Sequence, residues 1–130
     1  MPITALYATL IAILFLALSR RVIAVRRAVR IAVGDGGDPA LIRAMRAHAN
    51  CAEYAPLGLI LIGLAESLAV PALILHLLGL GLVGGRAVHA YGLSHEPENF
   101  RLRVSGMVLT LTSIAAAAAA ALIGALVHLM

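Results

Sequence analysis

The pattern of apolar and polar positions divides the chain into four long apolar runs separated by short polar breaks. The first is apolar from Ile3 to Leu18 and continues to about Val25, with Arg20 and Arg21 placed to snorkel toward an interface. It gives way to Gly34-Asp35-Gly36-Gly37-Asp38-Pro39, in which Asp38 suits a helix N-cap and Pro39 the first helical position. The second run therefore starts near residue 40 and extends to Ser67. A very short turn leads to Pro71 and a third run ending near Leu93, so the two should form an antiparallel hairpin. After Ser94-His95-Glu96-Pro97-Glu98-Asn99, Arg101 and Arg103 open a fourth run to Leu129 that includes the alanine tract Ala115 to Ala121. Each run reaches the roughly 20 residues needed to cross a hydrocarbon core of about 30 Å. The pattern predicts an all-α, integral membrane four-helix bundle, one domain over 1–130, with spans at about 3–25, 40–67, 71–93 and 103–129.

Composition strengthens this reading. Hydrophobic residues make up 62% of the chain and the mean hydropathy is +1.02, against about 45–50% apolar residues in an ordinary soluble domain. The formal charge of +4 comes from arginine alone, because there is no lysine. Arg20, Arg21, Arg26, Arg27 and Arg30 follow the first run, the placement of a positive-inside anchor and not of a nucleic-acid patch. Arginines in the first and third loops put both loops on the cytosolic side and both termini on the other. A cleaved signal peptide would carry its charge before the apolar stretch, so the first helix should be retained. Cys51 is the single cysteine and reads as a small buried residue. The glycine-rich break lacks the Lys-Ser/Thr of a phosphate-binding loop and follows no strand, so it is a turn. No metal site is predicted.

One stretch departs from the apolar background. Arg43, Arg46, Asn50, Glu53 and Tyr54 fall within an arc of about 100° on the second helix, in its cytosolic half. Ionisable groups at membrane depth cost roughly 2.5–3.5 kcal/mol each, so such a stripe persists only where a partner helix or a ligand satisfies it. It is the candidate functional site. Pro56, one turn beyond Glu53, should kink the helix, while Glu66 at the far end reads as an interfacial residue. On the third helix, Gly81 and Gly85 have the spacing of a close helix contact, and Arg86 and His89 share a face; Tyr91 points about 160° away from His89. His76 and His128 read as ordinary satisfied histidines, and the alanine tract as a helix–helix interface.

Arg43-x-x-Arg46-Ala-His48-x-Asn50-x-x-Glu53-x-x-Pro56 on the second span, followed by Gly85-Arg86-x-x-His89 on the third, resembles the MAPEG family, the membrane-associated proteins in eicosanoid and glutathione metabolism. The similarity covers nearly the whole chain. It implies a four-helix subunit assembled as a homotrimer, with glutathione bound as co-substrate between neighbouring subunits near the cytosolic side and a lipophilic second substrate arriving from the bilayer. It further implies Arg46, Asn50, Glu53 and His89 as glutathione ligands, and Arg103 as the stabiliser of the reacting thiolate. Arg43, on the same stripe, joins the binding set. The residue types suit the chemistry: arginines pair bidentately with carboxylates, Glu53 suits an ammonium, and an arginine beside sulfur favours the nucleophilic thiolate. Many enzymes of the family carry tyrosines where this chain has Leu93 and Met107.

Two functions follow. The first is a glutathione-dependent transferase or peroxidase acting on lipophilic electrophiles, in the inner membrane of a bacterium. The alternative is a non-catalytic lipid-binding or accessory subunit whose polar stripe forms only inter-helix ion pairs. A transporter or channel would need a polar path through the whole bilayer, and this stripe occupies one half.

Overall fold

The computed structural model describes residues 1–130, folded into α1 (Pro2–Val29), α2 (Pro39–Ser67), α3 (Ala72–Ser94) and α4 (Phe100–Leu129) with no strands. α1, α3 and α4 are long and apolar enough to cross a membrane. α2 is equally long, but its polar stripe lowers its hydropathy. The Asp38 side chain accepts from Leu41 N at 2.8 Å with Pro39 at the helix start, as the capping residues require. α2 then runs unbroken through Pro56.

Two ends differ from the sequence pattern. α1 continues four residues past Val25 to Val29, closing on Arg30 in a left-handed conformation. There Arg26 gathers the carbonyls of Ile31, Ala32 and Gly34, which ties the turn back onto the helix. α4 begins at Phe100 because Asn99 caps it, its side chain accepting from Leu102 N at 3.2 Å. Pro71 serves as the N-cap of α3 and lies just outside it.

α2 and α3 form the centre of the bundle. α1 packs on α2 and α3, α4 packs on α3 and α2, and α1 and α4 do not meet. One apolar core joins Ile11 and Leu18 of α1 to Ala47, Cys51 and Ala55 of α2 and to Ala90 and Leu93 of α3. A second, toward the α2–α3 turn, joins Ile62, Leu75, Leu78 and Leu82 to Ala117 and Ala121 of α4. Only those two alanines of the tract are buried within the chain. Glu66 accepts from Ile3 N at 2.9 Å, Thr4 N at 2.7 Å and Thr4 Oγ1 at 2.6 Å. It thus satisfies two amides that the start of α1 leaves open, far from the polar stripe. His76 is satisfied by the Tyr7 hydroxyl at 3.0 Å and His128 by its own helix carbonyl, Gly124 O.

Inside a bilayer apolar contact between helices gains nothing from excluding water, so close backbone approach carries the association. α3 and α4 achieve it through Gly85, Gly92 and Gly106. A methyl group at Gly106 would sit 2.7 Å from Gly85 O and closer still to His89 N, both backbone atoms that cannot swing aside. Gly106→Ala is therefore expected to force α3 and α4 apart and lower stability by about 1–3 kcal/mol. Gly84→Ala, whose added carbon would meet only Leu109 at 3.8 Å, should leave the thermal unfolding midpoint in detergent nearly unchanged. Equal midpoints for the two variants would contradict this account of the contact.

Candidate functional site

The capped start of α2 places Arg43, Arg46 and Asn50 along its first three turns, facing the end of α3 and the start of α4. Between these elements lies a cleft of about 330 Å³. Arg43, Arg46 and Asn50 of α2 line one side, His89 and Leu93 of α3 and Arg103 and Met107 of α4 the other, with Ile42 and Glu98 at its edges. Five of the six residues expected from sequence, Arg43, Arg46, Asn50, His89 and Arg103, are thus brought together. Glu53 is not among them. It is exposed on the outer surface of α2 and does not line the cleft of a single chain.

The base of the cleft rests on Arg86, which the motif contained but to which sequence reasoning gave no role. It is 1% exposed and no carboxylate pairs with it. Its Nε donates to Thr110 Oγ1 of α4 at 2.9 Å, and its Nη1 donates to the side-chain oxygen and, at 3.4 Å, to the backbone oxygen of Asn50. Nη2 reaches Met107 Sδ at 3.7 Å, and the guanidinium lies 5.2 Å from the centre of the Tyr54 ring, within cation–π range. Tyr54, which shares the stripe in sequence, therefore serves Arg86. An arginine inside an apolar span with no acid within a helical turn on its own helix was the signal; its partners, 24 and 36 residues away, were not visible.

This network settles what the cleft residues offer. With the Asn50 oxygen accepting from Arg86, the donors this side chain can offer a ligand are its two amide N–H groups. His89 Nδ1 lies 3.0 Å from Arg103 O; a carbonyl can only accept, so Nδ1 carries the hydrogen and Nε2 of the neutral ring is an acceptor. Arg103 pairs with Glu98 at 2.6 Å, and its buried Nε has no partner. Arg43 pairs with Glu96 at 2.6 Å, while Arg46 has no partner within the chain. Three arginines thus line the cleft against one carboxylate, Glu98. The site is built to attract an anion, with one acceptor, His89 Nε2, able to receive a proton.

Comparison with known proteins agrees with this architecture. The family model described as MAPEG family matches residues 4–123. The inner membrane protein YecN of Escherichia coli strain K12 is 39% identical over 108 residues, covering 83% of this chain and 81% of that protein. The YecN protein of Escherichia coli O6:H1 strain CFT073 matches to the same extent. A match over nearly the full bundle, together with the arginine-lined cleft its motifs build, establishes that this membrane protein belongs to the MAPEG family.

Proposed function

We propose that the protein is a glutathione-dependent transferase or peroxidase that acts on lipophilic electrophiles at the cytosolic side of a bacterial inner membrane. The observation that carries this reading is the convergence of Arg43, Arg46, Asn50, His89 and Arg103 on one cleft from three helices. Arg43 and Arg46 suit the two carboxylates of the tripeptide, and the Asn50 amide N–H groups a backbone carbonyl. Arg103 favours the thiolate, and His89 Nε2 is the acceptor through which the thiol proton can leave. Glutathione supplies the sulfur nucleophile, which forms the new S–C bond as the electrophile's leaving group departs with its electron pair; with a hydroperoxide, two glutathione thiols are oxidised to a disulfide as the O–O bond breaks and the peroxide is reduced to an alcohol and water. The name inner membrane protein, borne by the YecN relatives, and the arginine distribution support that membrane with both termini on the non-cytoplasmic side.

Assembly as a homotrimer through α2 belongs to the same proposal. Glu53, Leu57, Ile60 and Leu64 are all exposed and recur at helical spacing along one stripe of α2. An outward carboxylate at membrane depth is costly unless covered. A neighbouring copy would cover it and bring Glu53 toward a cleft, where it suits the ammonium of the tripeptide. One observation favours the alternative, a non-catalytic accessory subunit: Leu93 and Met107 line the cleft, and neither side chain can move a proton.

Arg46→Ala and Glu53→Gln are each expected to weaken glutathione binding by about 1.5–3 kcal/mol, roughly 10- to 150-fold, with thermal stability and assembly retained. Calorimetric titration in lipid nanodiscs reads the first effect and unfolding midpoints the second. If the two residues instead form a structural ion pair, either substitution should cost about 3–5 kcal/mol of stability. Native mass spectrometry in mild detergent should show three copies; a persistent monomer would sink the shared-site arrangement.

A further inference from the structure

We propose that α1 carries a site for an anionic phospholipid, the lipid phosphate lying between Arg20 and Arg27 and the acyl chains running along the apolar face below them. Five of the ten arginines are engaged inside the chain: Arg26, Arg43, Arg86 and Arg103 as described, and Arg21, whose Nη2 donates to Ser94 O at 2.9 Å. Arg20 and Arg27 are exposed and have no partner in the chain. Seven residues apart on one helix, they differ in direction by only about 20° and stand about 10 Å apart along the axis. They bracket a shallow groove of about 570 Å³ floored by Ala17 and Ala24, bordered by Ile23, and containing no acidic residue.

The depth is right for a headgroup. At 1.5 Å per residue Arg20 lies about 27 Å along α1 from Pro2, close to the full thickness of a hydrocarbon core, and Arg27 lies beyond it. On the membrane side of the arginines, Ile13 and Leu16 are 60% and 62% exposed, an outward apolar face for acyl chains. Arg21, bound to the last carbonyl of α3, holds this part of α1 in a fixed rotation. Charge complementarity selects the occupant. A zwitterionic headgroup would bring its own cation beside two unpaired guanidinium groups, whereas a phosphatidylglycerol-type headgroup offers them phosphate without it. The groove is formed by α1 alone and the cleft by α2, α3 and α4 with their loop, so the two sites are separate.

Lipid retention tests the site. The full chain is reconstituted with equal amounts of phosphatidylglycerol and phosphatidylcholine, extracted in mild detergent, and its bound lipids counted by native mass spectrometry. Wild type should retain phosphatidylglycerol about tenfold over phosphatidylcholine. Arg20→Gln/Arg27→Gln should fall to near parity with an unchanged unfolding midpoint. Arg30→Gln/Arg101→Gln removes the same charge from exposed arginines outside the groove and should keep the preference. Equal loss in both double variants would reduce the effect to diffuse attraction and overturn the site, as would a wild type without preference. An altered oligomeric mass with unchanged lipid count in the Arg20→Gln/Arg27→Gln variant would overturn it too, by assigning these arginines to a contact between copies.

Discussion

A buried cation without a counter-charge is the constraint on which this bundle depends. Arg86 lies within α3 between the two apolar cores, and stripping a guanidinium of water is unfavourable unless its N–H groups find acceptors. Thr110 supplies one only if α4 comes close, which the paired glycines Gly85 and Gly106 allow. Asn50 supplies another only at one rotation and height of α2. One side chain therefore sets the relative register of three helices, and the cleft sits directly on that layer. The same arrangement explains why the polar stripe is divided: Asn50 and Tyr54 turn toward Arg86, Arg43 and Arg46 toward the cleft, and Glu53 outward.

Above this layer the electrostatics are one-sided. Glu96 and Glu98, on the loop between α3 and α4, hold Arg43 and Arg103, yet both glutamates are exposed. Solvent-exposed ion pairs are worth little, typically about 0–1 kcal/mol, so an entering carboxylate or thiolate can displace them without a large penalty. The two ion pairs keep the arginines extended over the cleft in the chain alone. Arg46, which has no such partner, remains directly available to a ligand.

Much of the fold could be read from residues close together in sequence. The four helical runs and the Asp38 and Pro39 start of α2 rest on local chemistry, and the structure keeps them. Helix ends at the interface were less legible, because an arginine there does not stop a helix: α1 runs on to Val29, and α4 starts earlier than the arginines suggest because Asn99 caps it. Long-range pairings were not legible at all. Glu66 reads as a simple interfacial acid, yet it caps a helix start through Ile3, 63 residues earlier. Arg86 was visible as a motif residue, but its role depends on Thr110 and Asn50, which no spacing rule connects to it.

The central claim is that this cleft binds glutathione and holds its sulfur as thiolate. Ultraviolet difference absorbance of purified protein in lipid nanodiscs, titrated with glutathione at neutral pH where the free thiol is largely protonated, tests it most directly. A saturable thiolate band is expected in wild type, lost or shifted to higher pH in Arg103→Leu while most of the binding affinity remains. Saturable binding with no thiolate band, or a band that Arg103→Leu leaves unchanged, would contradict it.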